Sequence, residues 1–573
     1  MARASVTIAL TGSGGVGVMT AGQMLLSVAG RAGFQGLMTR SLGPQIRGGE
    51  AAAFLRIAGH PVESAGDRLD LMIAFDWQNV ERFAAELALD GDSVVLHDPA
   101  HGAVPAAVAD KGPTLVPVSL SETAKGLEHG RVNMVGLGLV AALLDIATDA
   151  VDEVIARALG RKGEAALTAA RAGVAAGDSL AAAVAETAAR PLAAVDRASA
   201  ARWNISGNEA AGLGAIRAGI RFCAAYPITP ATDVLEYLAP ALNRTGGTLL
   251  QAEDELASIN MILGASYGGV PSVTATSGPG LALMAEGLGL GVAAEIPVTV
   301  IDVQRGGPST GIPTKSEQSD LDIALSGLHG DAPHLVLAAT GLGDCLTTTQ
   351  WAIHLSERLQ VPAVVLSDQF LGQARGIIDA VPESGLRAER RTAEPNSDDY
   401  RRYALTDDGV SPMAWPGMAG CMYTADGLEH GESGTPSTLA EDHAAQLDKR
   451  RDKLDGVDYG ALWADISGEG PVAVLTWGSS AGPAREAAER LRAEGHAIRV
   501  IAQRLLAPAR PDALAAALEG VERILVVEQS HGGQYHRYLR AWYDLPVRPA
   551  VLNRPGPLPI RPGAVEAALR EWV

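Results

Sequence analysis

Cysteine is scarce in this chain: three occur among 573 residues, at Cys223, Cys345 and Cys421. They lie far apart and none forms a CxxC pair, so one copy of the chain cannot build a four-thiolate iron-sulfur cluster. Reduced, buried thiols are the expected state. Aromatic residues are also sparse, 4% against 47% apolar overall, while glycine reaches 66. That balance excludes a disordered chain and fits Ala-rich helices packed on sheets through glycine turns. Basic residues are outnumbered, 46 Lys and Arg against 66 Asp and Glu, for a net charge of -20. A nucleic-acid partner is therefore not expected, because phosphate binding needs clustered cations. No run approaches about eighteen uninterrupted apolar residues, and the opening MARASVTIALTG is too short for a signal segment. The expectation is no membrane span and a cytoplasmic location.

At a prior of about 150 residues per domain the length predicts three or four domains, of multidomain α/β class. Residues 5–10 read as a strand, followed by the turn Thr11 to Gly17 and an amphipathic helix from Val18. The β-like runs LDLMIAFD, DSVVLHD and PTLVPVSL follow, then an Ala-rich helical stretch, which closes a first domain over 1–190. Residues 191–206 lack periodicity and read as a linker. A second doubly wound domain is expected over 207–385, with strands in GGTLLQAE, GVPSVTAT, IPVTVIDVQ, HLVLAAT and VPAVVLSD. Over 386–460 the pattern dissolves into charge, Gly and Pro up to a DKRRDKL helix, the mark of a segment that wraps its neighbours or carries function. A smaller α/β unit, with PVAVLTWG, AIRVIAQ and RILVVEQ as strands, fills 461–573.

Gly12 to Gly17 satisfies GxGxxG after a strand, yet no Asp or Glu stands between Gly17 and Glu50. The ribose-binding acid of a dinucleotide site is thus absent, although Arg40 keeps an NADP reading open. The turn can instead receive another phosphate or serve packing alone. Arg47, in SLGPQIRGGE, suits a phosphate or a subunit contact. In the second domain YPITP pins Thr229 between two prolines, where its hydroxyl can meet a carboxylate or cap the helix TPATDVLEYLA. Glu253-Asp254-Glu255 opens an apolar helix, where exposed acids are the ordinary reading. TSGPG and the loop after Arg305 are harder to dismiss, because a guanidinium on a rigid glycine-proline loop suits a carboxylate. Glu429-His430-Gly431-Glu432 reads as a surface turn rather than a metal site. Glu528, before SHGGQ, marks a ligand approach or a plain strand-to-helix connection.

Together these segments resemble the α subunit of the 2-oxoacid:ferredoxin oxidoreductases, in the fused γ-plus-α form most like the 2-oxoglutarate enzymes. TGSGGVGVMTAGQML and SLGPQIRGGE are similar to the γ domain. GNEAAGLGAIRAG, YPITPATD, TSGPGLALMAE and QRGGPSTGIPTKSEQSDL are similar to the pyrimidine-binding α domain. YRRYALTDDGVSP, EHGESG and DKRRDKL resemble the extended segment, and VVEQSHGGQ the transketolase C-terminal-like unit.

The resemblance implies that Glu255 is the carboxylate facing N1′ of the thiamine diphosphate aminopyrimidine, where a shared proton favours the reactive tautomer. It implies that Thr229 and Arg305 hold the 2-oxo acid, and that Tyr226, Pro227, Ile228 and Gly278 line the cofactor. Gly14, Gly15 and Arg47 are candidates for coenzyme A. No GDG segment with a following asparagine motif occurs, so Mg2+, the diphosphate anchor and the 4Fe-4S cluster are expected on a β subunit, in an (αβ)2 assembly that passes electrons to ferredoxin. The implied reaction converts 2-oxoglutarate and coenzyme A to succinyl-CoA and CO2, or runs in reverse; pyruvate and branched 2-oxo acids stay open as substrates.

Two other readings compete: an NADP-dependent dehydrogenase built on the first glycine turn, and a noncatalytic scaffold subunit. The scaffold reading survives only if Glu255→Gln and Arg305→Ala leave a reconstituted complex fully active. The expected losses are at least about a hundredfold.

Overall fold

The computed structural model describes residues 2–42, 49–195 and 201–573. Two compact units are present. The first comprises Met1–Ser206 with Gln373–Ala380 and Arg561–Gly563; the second comprises the remainder.

The first unit is built on an eight-stranded sheet in the order Thr114–Pro117, Val94–His97, Leu71–Ala74, Ser5–Ser13, Glu50–Ala58, Gln35–Leu42, Arg375–Asp379, Arg202–Ser206. Its strands up to Ser5–Ser13 are parallel, whereas Glu50–Ala58 runs antiparallel to Ser5–Ser13 with Ile8 opposite Leu55. A dinucleotide fold flanks its first strand with parallel neighbours, so this is not the Rossmann arrangement that GxGxxG raised. The helices Val18–Arg31, Val132–Leu143 and Glu164–Ala188 cover one face through Leu25, Met134, Leu139 and Leu167. Two departures from the sequence reading appear here. Arg202–Ser206, within the expected linker, is an edge strand, and Arg375–Asp379, within the expected second domain, pairs antiparallel with both it and Gln35–Leu42. Each is five residues long, too short to show a period against its surroundings.

The second unit carries a seven-stranded sheet ordered Leu505–Ala507, Leu335–Ala338, Ala363–Asp368, Thr299–Gln304, Ser272–Thr276, Phe222–Ala225, Thr248–Gln251. Its strands are parallel except Leu505–Ala507, which comes from the C-terminal region to cap the edge. The central strands are buried along their whole length, as parallel strands covered on both faces must be. A five-stranded sheet in the order Ala464–Ser467, Ile498–Gln503, Val472–Trp477, Arg523–Glu528, Ala550–Asn553 forms the C-terminal part. Gln318 ties the two sheets together. Its Nε2 donates to the Trp477 carbonyl at 2.9 Å, and its Oε1 accepts from Ser480 Oγ at 2.8 Å and the Gln529 N–H at 2.7 Å.

Between Asp379 and Ala440 no helix or strand forms, and order returns with the helix Ala440–Asp455. Polar contacts hold this long segment. Arg390 grips Glu357 with two hydrogen bonds of 2.6 and 2.8 Å. Fully buried Glu295, at the end of the helix Gly278–Ala293, accepts from Lys449 at 2.8 Å and Lys453 at 3.2 Å, while Arg402 donates to its carbonyl. Among the described residues no helix is long and apolar enough to cross a membrane. The three cysteines are free and buried, and burial pushes the Cys223 thiol up to about 12.

Candidate functional site

The three acids of the EDE triplet take three different positions. Glu253 faces solvent, Asp254 caps the helix Glu255–Tyr267 by accepting the Ala257 N–H at 2.6 Å, and Glu255 turns inward to 7% exposure. Exposed helix-start acids therefore describe only Glu253. Opposite Glu255, the strand Ser272–Thr276 breaks into the turn that starts the helix Gly278–Ala293. A Cβ on Gly280 would lie 2.0 Å from Thr276 Oγ1, 2.8 Å from Glu255 Cγ and 3.0 Å from Glu255 Oε1. Glycine is thus the residue that lets the carboxylate lie against this turn. The positive ends of two helices converge here, which favours a carboxylate.

Thr299–Gln304 delivers Arg305 into the same region, 6% exposed. Its Nη1 donates to the Thr229 carbonyl at 2.6 Å, and its Nε is buried with no partner among the described residues. Burial lowers its pKa, against the opposing pull of Asp320 and Glu255. A guanidinium remains charged under that shift, and one buried N–H without an acceptor is a demand for an incoming anion.

Thr229 itself is exposed. The helix Thr232–Thr245 takes Ala231 as its N-cap and has no side-chain cap, so the helix-capping alternative does not hold. Tyr226 is 41% exposed and Pro227 and Ile228 are half-buried along the same loop. Gly278 sits in the turn with its N–H directed at the Asp320 carboxylate, and a Cβ there would come within 2.4 Å of Asp320 Oδ1. Glu255, Arg305, the Thr229 peptide and the Gly278–Gly280 turn therefore form one cluster. Sequence reasoning flagged TSGPG without assigning Gly280 a role, and it missed Asp302 and Asp320. An aspartate inside the apolar strand VTVIDVQ was the available signal for Asp302.

The other candidates separate from this cluster. In the first glycine turn Ser13 donates from N and Oγ to Asp76 Oδ2, at 3.0 and 2.7 Å, and the Gly14 N–H bonds the Gly49 carbonyl at 2.7 Å. Gly15, at φ 108, has open space where a Cβ would be. These three donors of the turn are thus used within the chain, and Arg47 lies outside the described residues. The Glu429–Glu432 stretch is not the surface turn expected from sequence. His430 is buried, its ring stacked 3.6 Å from that of Tyr403, and Glu429 is paired with Arg450 and His443, since the helix Ala440–Asp455 covers it. No cluster of three potential metal ligands occurs among the described residues. Glu528 is buried and accepts the Tyr535 and His536 N–H groups, each at 2.9 Å. It thereby answers two first-turn N–H groups of the helix Gln534–Trp542, whose N-cap is Gly533, and ties the strand to that helix.

Two family descriptions match the sequence. "Pyruvate ferredoxin/flavodoxin oxidoreductase" covers residues 7–176, and "Pyruvate flavodoxin/ferredoxin oxidoreductase, thiamine diP-bdg" covers residues 213–449. The 2-oxoacid:ferredoxin oxidoreductase subunit alpha of Saccharolobus solfataricus is 35% identical over 59% of this chain and 56% of its own length. The chain thus spans little more than half the length of that curated relative. The 2-oxoglutarate synthase subunit KorA of Methanothermobacter marburgensis is 35% identical over 59% of this chain and 90% of its own length. The solved 2-oxoglutarate:ferredoxin oxidoreductase of Magnetococcus marinus, with 2-oxoglutarate, coenzyme A and succinyl-CoA bound, superposes with a TM-score of 0.92 over 99% of both chains at 36% identity. With a buried helix-start carboxylate and an anion-seeking arginine in the matched thiamine domain, this chain belongs to the 2-oxoacid:ferredoxin oxidoreductase family.

Proposed function

We propose that the chain is the α subunit of a 2-oxoglutarate:ferredoxin oxidoreductase that oxidises 2-oxoglutarate with coenzyme A to succinyl-CoA and CO2, releasing two electrons to ferredoxin. The observation that carries this reading is Arg305, buried with an unanswered Nε beside Glu255, in a chain that superposes end to end on the Magnetococcus marinus enzyme. When bound, thiamine diphosphate would supply the carbon nucleophile for a 2-oxo group and an electron sink for decarboxylation. The residues present fit its aminopyrimidine end. Gly280, by lacking a Cβ, lets the Glu255 carboxylate lie against the Gly278–Gly280 turn.

Glu255 would hold a proton at the ring N1′, and its burial would strengthen that hydrogen bond. Arg305 grips the C1 carboxylate of the 2-oxo acid, oriented by its bond to the Thr229 carbonyl. The Thr229 hydroxyl stands on the same exposed loop to meet the substrate, and Tyr226, Pro227 and Ile228 line the approach. Gly278 contributes by shaping the turn, because its N–H is engaged with Asp320.

Three scattered, buried cysteines cannot supply the four thiolates of a 4Fe-4S cluster. The 4Fe-4S cluster, Mg2+ and diphosphate anchor belong to a β subunit in this reading, in an (αβ)2 complex in the cytoplasm. Gly14 and Gly15 remain the coenzyme A candidates of the first unit.

The test is an anaerobic assay of the co-expressed α and β subunits, reading reduced ferredoxin with 2-oxoglutarate, pyruvate and a branched 2-oxo acid in turn. Coenzyme A-dependent turnover with kcat/KM highest for 2-oxoglutarate is expected. A higher kcat/KM for pyruvate would contradict the substrate assignment, and no turnover with any 2-oxo acid would contradict the function.

A further inference from the structure

We propose that Asp302 and Asp320 share a single proton behind Arg305, and that this carboxyl pair sets how tightly the site holds an anionic 2-oxo acid. The inference rests on the proposed function and deepens it by adding a positioning pair to the substrate site.

Asp302 lies in the middle of the strand Thr299–Gln304, fully buried, and neither of its carboxylate oxygens has a donor among the described residues. It faces Asp320 within hydrogen-bond reach. Asp320 precedes the helix Leu321–Ser326, and its own Oδ2 is shut off from solvent without a donor. The position of Asp320 is fixed from two sides. Its N–H donates to Gln304 Oε1 at 3.0 Å, while Gln304 Nε2 donates to the Ser367 carbonyl at 2.9 Å, and its carboxylate receives the Gly278 N–H. The two acids therefore meet by construction.

Two carboxylates in contact and out of water, one of them with no donor on either oxygen, cannot both be ionised. Burial first, then the neighbouring charge, pushes Asp302 well above the ordinary carboxylate range; burial also raises Asp320. Asp320 has what an anion needs, the Gly278 N–H and the nearby Arg305, and Asp302 has neither. The proton accordingly sits on Asp302 and is donated to Asp320. The other charges facing the pair are Glu317 on the same loop and, across Arg305, Glu255. Asp368, on the adjacent strand, is itself raised by burial and is occupied by Ser479, the Leu371 N–H and Ser316. Thr276 stands opposite Asp302 in the strand pairing and carries no charge.

While the proton is held, Arg305 sees one negative charge behind it. Loss of the proton at alkaline pH puts two there, and the guanidinium's attraction for a substrate carboxylate drops. The effect falls on binding, so KM for the 2-oxo acid rises with pH more than kcat falls.

The experiment uses the assembled complex of wild type and Asp302→Asn, whose amide donates to Asp320 but cannot lose a proton. KM for 2-oxoglutarate is measured across a pH series, and infrared difference spectra between the two proteins are recorded at neutral pH in the protonated-carboxyl region. Wild type is expected to show a KM rise of roughly tenfold toward alkaline pH that Asp302→Asn lacks, and a neutral-carboxyl band that the variant loses. Absence of that band would overturn the shared proton. Coincident KM profiles with the band present would overturn the link to substrate binding. A wild-type complex that turns over no 2-oxo acid would instead refute the proposed function, with the infrared band still deciding whether the proton is shared.

Discussion

At the scale of single residues, the site is governed by one missing methyl group. Gly280 lies so close to Glu255 and Thr276 that any side chain must push one of them away. Gly280→Ala is expected to cost about 1–3 kcal/mol of stability by overpacking and to lower kcat/KM by about a hundredfold through displacement of the carboxylate. Thermal unfolding and steady-state assays of the complex check the two parts; a variant with wild-type kcat/KM would show that the Glu255 position is not critical. Nothing in the local sequence distinguished Glu255 from Glu253 or Asp254, since helix-start acids are ordinary. What separates them is the turn Gly278–Gly280, which reaches Glu255 only when strand and helix pack. Arg305 was legible because a lone cation on a rigid loop is conspicuous, whereas its bond to the Thr229 carbonyl is a long-range contact that no spacing encodes.

At the scale of elements, the parallel strands of the second unit were legible from their apolar runs, such as the AVVL that opens Ala363–Asp368. The antiparallel pair Gln35–Leu42 and Glu50–Ala58 was not, because the glycine turn before it drew attention to a dinucleotide fold that its pairing rules out. The helix Ala440–Asp455 was visible as a charge run, but the run concealed buried lysines. Lys449 and Lys453 surround Glu295, and burial draws Lys453 down to about 8. Burial opposes the charge on Glu295, yet Lys453, Lys449 and Arg402 outweigh it and hold its carboxyl below the ordinary range.

Glu295→Gln leaves these cations uncompensated and should destabilise the protein by about 3–5 kcal/mol, read from urea midpoints. A depressed carboxylate contributes stability in full above its unfolded pKa of about 4.3 and loses it as pH falls further. The gap between variant and wild type should therefore shrink toward about pH 3. A gap of equal size at neutral and acid pH would contradict the charge assignment.

At the scale of the whole molecule, the chain is an acidic protein, at net charge -20, whose three cysteines are free and buried, and the proposed function assigns it the substrate-binding half of a shared redox site. The purified chain alone should reduce neither ferredoxin nor a viologen dye with any 2-oxo acid, and adding the β subunit should restore turnover; activity of the isolated chain would contradict the division of labour. The central claim is that Glu255 activates the cofactor. The most direct measurement is hydrogen–deuterium exchange at C2 of thiamine diphosphate bound to the assembled complex, by quenched-flow NMR, for wild type and Glu255→Gln. The account predicts exchange at least about a hundredfold slower in the variant, and equal exchange rates in the two proteins would contradict it.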